Sequence, residues 1–349
     1  MSVPRGSSNL RTSTRPELYR SNEIIFGSCR GCLYIAGMHD LDTPSHHLVN
    51  WLLGGLQLDT TVFHVGQYCG SWRGSTAGRL VGSFHLVLHG QCLLHSQAQE
   101  SVLLGPQDGV LFLRDVPHCL SSQDHSSAGC NEQDAAVGVK ASTMLPLDSS
   151  VSGSTGLACG FFHFKGAVSQ LLLAGLPDAV VIRAQDPSMQ AIAPLFSMIR
   201  AEAGSDPEHS TPLMQRLVDL LFFYVLRHHI THDSAVHGLW ALARATDLQP
   251  LLSAMLAAPG DVWSTESMAR FAHMSRTTFY RRFVETTGQA PAAFLQLLRV
   301  KIAAQRLERG ESVERAADYV GYSYAAFHRA FKKVTGAAPG SWRRNGALQ

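Results

Sequence analysis

The stretch SRTTFYRRFVETTGQAP, residues 275–291, returns in outline 48 positions later as SYAAFHRAFKKVTGAAP, residues 323–339. At that offset Ser275, Phe279, Arg281 and Phe283 meet Ser323, Phe327, Arg329 and Phe331. Thr287, Gly288, Ala290 and Pro291 meet Thr335, Gly336, Ala338 and Pro339. A phrase repeated in register is one supersecondary unit used twice. In each copy the Ser hydroxyl can accept a free amide of a first helical turn, and the two Phe share one helix face. The Gly suits a left-handed helix end, and the Pro prevents continuation. A short amphipathic segment precedes each Ser: STESMARFAHM (264–274) and SVERAADYVGY (312–322). Its Ala269 and Ala317 let a second helix pack closely. Helix, tight turn and second helix predict a helix-turn-helix, twice.

The open faces of the second helices carry the chemistry. In the first copy Arg276, Thr277, Tyr280, Arg281 and Arg282 avoid the Phe stripe; in the second Tyr324, Ala325, His328, Arg329, Lys332 and Lys333 do. Arg can bond a guanine edge through two hydrogen bonds, and Lys or Thr can hold phosphates. The alternative, a solvated basic face on an ordinary hairpin, weakens when the pattern occurs twice. Residues 260–349 carry 14 Lys and Arg against 7 Asp and Glu, a net +7, whereas the remainder, 15 against 20, is −5. A basic end on an acidic body suits a nucleic-acid module joined to something else. Between the copies, APAAFLQLLRVKIAAQRLERG (290–310) reads as one helix. Roughly eighteen residues at 1.5 Å span about 27 Å, near the roughly 34 Å between successive major-groove faces.

Residues 255–344 resemble the DNA-binding domain of the AraC/XylS regulators. The likeness rests on MSRTTFYRRF, the linker LLRVKIAAQRL and the run AADYVGYSYAAFHRAFKKVTGAAPGSWRR. It implies a transcription regulator, an activator by family habit, with promoter DNA and RNA polymerase as partners. The family's base-contacting positions correspond here to Thr277, Tyr280 and Arg281, and to Tyr324, Ala325, His328 and Arg329. Tyr324-Ala325 departs from the Ser, Gln or Asn of many relatives; Ala325 offers only an apolar contact, such as a thymine methyl.

A length of 349 residues predicts two domains. No uninterrupted apolar stretch long enough to span a bilayer occurs, so no membrane partner is expected. The N-terminus lacks the apolar segment of a signal peptide, and seven Cys without framework spacing read as reduced thiols of the cytoplasm. Residues 1–37, rich in Ser, Arg and Pro, read as a disordered tail.

From about residue 59 the period changes to two. TTVFHVGQYC (60–69), GSFHLVLHG (82–90), QCLLHS (91–96), SVLLG (101–105) and GVLFLR (109–114) read as short strands, continued by 118–120 and 159–164. LLGPQDGVLFLRDVPHCL resembles the second motif of cupins, and GSFHLVLHG a degenerate first motif. A cupin-like sensor precedes the DNA-binding domain in one AraC-type subgroup, which includes regulators answering reactive chlorine species. The fold class is therefore α+β and multidomain: a cupin-like β-barrel or jelly roll over 38–165, with a flexible loop at 121–156. A helical linker and dimerisation segment follows over 166–238, then an all-α DNA-binding domain over 239–349. Helices are expected at 166–176, 188–203, 211–230 and 239–259, with Leu217, Leu220, Leu221, Tyr224 and Val225 as one apolar stripe. A homodimer through this segment and simple packing on the cupin remain equal alternatives.

His85 and His118 occupy the cupin-motif positions that help hold a divalent metal such as zinc. The H-x-H pair is missing, because residue 87 is Val. Two His fall short of the three protein ligands a catalytic metal takes; Cys69 and Cys159 would complete a set if folding brought them close. They could equally be a redox pair answering an oxidant, or contacts for a small-molecule effector, or buried apolar residues. The rival reading of the whole chain is a cupin-fold metalloenzyme with an appended helical domain, which needs a complete metal triad.

Overall fold

Gly160 shows how the first sheet is packed. A Cβ there would lie 2.4 Å from the Phe84 ring and 2.3 Å from the Thr61 carbonyl, so the strand centre requires glycine. The computed structural model describes residues 44–96, 99–123, 145–205, 211–233 and 235–346. The tail 1–37 lies outside the described residues.

Helix α1 (Pro44–Gly54) leads into β1 (Gln57–Tyr68), β2 (Arg73–Gly74), β3 (Gly82–His89), β4 (Cys92–Ser96), β5 (Gln99–Leu104), β6 (Gly109–Phe112), β7 (His118–Ser121) and β8 (Thr155–Lys165). After α2 (Ala167–Ala174) comes β9 (Ala179–Ile182). The strands form two antiparallel sheets, β1-β8-β3-β6-β9 and β2-β7-β4-β5. Alternation decides which side chains meet. Phe84, Leu86, Ala158 and Phe162 face the helices, whereas Val87, Val110, Leu157 and Cys159 join Cys92, Leu94, Leu104 and Leu120 of the second sheet in an inner core. The expected loop 121–156 is shorter than drawn: Ser121 closes β7, Leu145 pairs with Gln67, and Thr155 opens β8. Residues 124–144 lie outside the described residues.

The helical part comprises a 3₁₀ turn (Pro187–Ile192), α3 (Ala193–Ser205) and α4 (Pro212–His232). Along α4 the expected single stripe divides. Leu217, Leu221 and Val225 are buried, whereas Leu220 is exposed and lines a groove with Phe223 and Tyr224. The helix expected at 239–259 is two, α5 (Leu239–Arg244) and α6 (Gln249–Ala257). Pro250 in the first turn of α6 has no amide to donate and disfavours helix before it, so the chain turns through Asp247 and Leu248.

The C-terminal segment has α7 (Thr265–Phe271), α8 (Arg276–Thr287), α9 (Pro291–Glu308), α10 (Val313–Tyr319), α11 (Tyr324–Thr335) and α12 (Pro339–Gly346). Ser275 accepts the Thr278 amide and Ser323 the Ala326 amide, and Gly288 and Gly336 end the helices in left-handed conformation. Thr287 Oγ1 donates to the Phe283 and Gln289 carbonyls and accepts the Gln289 amide; Thr335 repeats all three bonds with Phe331 and Ala337. The repeated Thr-Gly is thus a helix stop. Phe279, Phe283, Phe327 and Phe331 are completely buried, each stabilising by about 1.5–3 kcal/mol.

The two units sit in different cores. Phe279, Phe283 and Met268 share one core with Leu251, Met255, Trp240 and the helices behind the first sheet. Phe327, Phe331, Ala316 and Val320 form a separate core with α9, joined by Ala167 of α2.

Candidate nucleic-acid interface and sensor cavity

On α8, Arg276, Thr277, Tyr280 and Arg281 are exposed, and Arg281 is tied only loosely, 3.9 Å from Glu285. Arg282 differs. Its Nε and Nη2 donate to the two carboxylate oxygens of Asp247 at 2.8 and 3.2 Å, and this pairing holds the Asp247 carboxyl below its ordinary range. The sequence placed Arg282 on the open face; the structure makes it a clamp between α8 and the α5–α6 turn. On α11, Tyr324, Ala325, Arg329, Lys332 and Lys333 are exposed. His328 is half-buried, its ring 4.5 Å from that of Tyr324 and its Nε2 enclosed without a hydrogen-bond partner. The second face is therefore less open at His328 than the first is at Tyr280.

Two other cations of the basic end are structural. Arg299 donates to the carbonyls of Pro259 and Asp261, and Arg306 lies 3.7 Å over the Tyr319 ring while donating to Glu311. Arg276 and Arg281 on α8, and Arg329, Lys332 and Lys333 on α11, leave exposed positive charge for a polyanion.

The second site lies between the sheets. β1, β8 and β3 bring His64, Cys159 and His85 into one cross-strand row, because His64 pairs with Cys159 and Cys159 with His85. A bulge between Val62 and His64 sets that register. From the facing sheet comes His118. His85 Nε2 is 3.1 Å from His118 Nε2, His85 Nδ1 is 3.0 Å from Cys159 Sγ, and His118 Nδ1 is 2.8 Å from the Val116 carbonyl. Thr76 Oγ1 stands 3.2 and 3.0 Å from the two Nε2 atoms. One proton arrangement satisfies the chain of contacts: Cys159 donates to His85, His85 to His118, and His118 to Val116. Every member is then neutral. Burial agrees, pushing both imidazoles down and the Cys159 thiol up.

The expected partners are thus brought together in part. His85, His118 and Cys159 are adjacent and buried, but Cys69 is exposed. It follows the end of β1, five residues beyond the partner of Cys159, roughly 16 Å away at strand rise. The Cys69–Cys159 redox pair is not formed. Zinc fits poorly as well. Cys159 addresses the opposite ring nitrogen from the one facing His118, so only two imidazoles and a neutral hydroxyl converge, one ligand short of a set.

The row lines a cavity of about 160 Å³, walled by Phe63, His64, Tyr68, Trp72 and Leu157 with Thr76, His85 and Cys159 at its polar side. Tyr68 stacks between His64 and Trp72, at 5.1 and 4.8 Å. None of His64, Tyr68, Trp72 and Thr76 was singled out from the sequence. The aromatic cluster H-x-x-x-Y-x-x-x-W was the available signal.

A cupin family model matches residues 48–231, more than half of the chain, and a helix-turn-helix domain model matches residues 268–345. The chain belongs to the AraC-type transcription regulators that carry an N-terminal cupin domain, and it is a DNA-binding protein rather than an enzyme. An uncharacterised HTH-type transcriptional regulator of Haemophilus influenzae is 29% identical over 291 residues, 81% of this chain and 93% of that one. The RCS-specific HTH-type transcriptional activator RclR of Escherichia coli is 26% identical over 272 residues, 76% of this chain and 86% of that one. Among solved structures, the DNA-binding domain of AdpA in complex with a target DNA is 33% identical, covering 28% of this chain and 88% of that one with a TM-score of 0.27. No helix among the described residues is long and apolar enough to cross a membrane.

Proposed function

We propose that this chain is a one-component activator: a chemical effector enters the barrel cavity, and α8 and α11 read adjacent major grooves of a promoter for RNA polymerase in the cytoplasm. The carrying observation is the pair of recognition helices with the same caps and stops but different open faces. On α11 the reading falls to Tyr324, Ala325 and Arg329, with Lys332 and Lys333 on phosphates. Arg281 and Arg329 are the shared anchors.

Coupling between the two sites has a physical route. β8 carries Cys159 at the cavity and runs into Gly166, which caps α2. The first amide of α2, from Ala167, donates to Glu308 Oε2 of the connector helix α9 at 3.2 Å, and Lys301 of α9 donates to Gln170 of α2 at 2.9 Å. An effector that prefers one placement of β8 shifts the population of DNA-competent arrangements by its differential affinity. Between the effector classes, a small organic molecule is favoured over an oxidant, because burial leaves Cys159 as thiol and the thiolate is the reactive form. A homodimer through α4 is part of this reading, supported by the exposure of Leu213 and Leu220.

Footprinting and titration on the cognate promoter test it. Arg281→Ala and Arg329→Ala are each expected to cost about 1–3 kcal/mol of binding and to relax base preference at one position. Unchanged footprints in both variants would defeat the assignment.

A further inference from the structure

We propose that the barrel cavity takes an uncharged, single-ring aromatic molecule bearing one hydrogen-bonding group, laid along the Tyr68 wall with that group at the Tyr68 hydroxyl. The proposal rests on the sensor reading above and adds the chemical class of the effector.

Size comes first. The cavity holds about 160 Å³, close to the roughly 150 Å³ of a protein cavity known to accept benzene. A bicyclic or long-chain molecule would exceed this volume and extend out through the open side of the cavity. Shape comes next. His64, Tyr68 and Trp72 stack on one another, and Leu120 and Leu157 add aliphatic surface. With Tyr68 stacked between its neighbours, a planar ligand meets ring edges and aliphatic side chains, and edge-to-face aromatic pairs add to area burial.

Charge is decided by what the lining lacks. Among the described residues no Lys, Arg, Asp or Glu lines the cavity, so a carboxylate or ammonium group would enter without a counter-charge from them. The histidines do not supply one: burial lowers His64 to about 4 and holds His85 well below the ordinary imidazole range. At neutral pH the described lining is therefore uncharged.

The polar anchor follows from incomplete bonding. Tyr68 OH is 3.4 Å from His64 Nδ1, long for a hydroxyl donor, and His64 Nε2 is enclosed without a partner. By contrast His85, His118 and Cys159 are already matched to one another. Tyr68 OH, with the adjoining His64 Nε2, therefore has bonding capacity to offer in the wall.

The test is calorimetric titration of the full-length protein with benzyl alcohol, toluene, benzoate and benzylammonium, which share a ring and differ in polarity and charge. Benzyl alcohol should bind at least tenfold more tightly than either ion, with toluene between. Tyr68→Phe, which keeps the stacked ring, should weaken benzyl alcohol several-fold and leave toluene unchanged. Leu157→Phe should weaken both neutral rings by filling the space. Benzoate binding as well as benzyl alcohol, or no detectable neutral-ring binding, would overturn the proposal. Promoter binding measured on the same preparation separates the two ideas. DNA binding without ring binding sinks the ligand class alone. Ring binding that leaves DNA affinity unchanged supports the site and counts against its role as sensor.

Discussion

His273 and Gly321, 48 residues apart, hold the same left-handed backbone at the same point of the two helix-turn-helix units, with φ of 55° and 72°. The following amide closes each turn identically, Met274 onto the Ala269 carbonyl and Tyr322 onto that of Ala317. Only the surroundings differ. At Gly321 a Cβ would lie 2.3 Å from the Gly260 carbonyl oxygen. Gly321→Ala should therefore destabilise by about 2 kcal/mol or more, whereas His273→Gly should stabilise by up to about 1 kcal/mol. Urea denaturation of the two variants measures both; equal losses would contradict the account.

Neighbouring arginines should separate cleanly. Arg282→Ala breaks the pair with Asp247, whose partners remain a third or more exposed, and should cost about 0.5–1 kcal/mol of stability. Arg281→Ala should leave the melting temperature unchanged and lower promoter affinity. If Arg282→Ala reduced affinity as strongly as Arg281→Ala with no change in melting, the clamp assignment would fail.

Acid should weaken the barrel before it weakens the recognition helices. The folded pKa of His64 is about 4 against an ordinary 6.5, because burial disfavours its charged form. Between those values the unfolded chain binds the proton first, so stability falls as pH drops from 6.5 to 4 and levels off below. The depression is worth up to about 3 kcal/mol. His64→Phe should flatten part of that slope in a melting series, with the remainder attributable to His85 and His118, which are shifted in the same direction.

Glu308 accepts from Ala167 and from the Trp342 indole at once. Glu308→Ala strands both donors and should cost about 1–3 kcal/mol. Amide hydrogen exchange at Ala167 should accelerate beyond the general loss of stability; unchanged relative protection would argue against the bridge.

The recognition helices were legible in the sequence because their determinants are local. Caps, a four-residue Phe spacing and a Gly stop act within one or two turns, and repetition doubled the signal. The strands were legible for the same reason, except β2, whose two residues are too few to show a period, and β9, whose four-residue run Ala179–Ile182 lies between helical segments. The cavity was not. Its geometry depends on a bulge at Phe63 and on register between strands nearly a hundred residues apart. Cys69 drew attention as a residue type, yet β1 carries it past the site. The sequence places Arg282 on the open face because Asp247, 35 residues away, is invisible to a helical-face argument.

The unequal cores of the two units bear on promoter architecture. The first reader is fused to the body of the molecule, and the second rides on α9 in a core of its own. A half-site under α8 should therefore tolerate no displacement relative to the rest of the complex, while the half-site under α11 should tolerate small changes in spacing or helical phase. Among the natural operators of this protein, the conserved register should belong to the first.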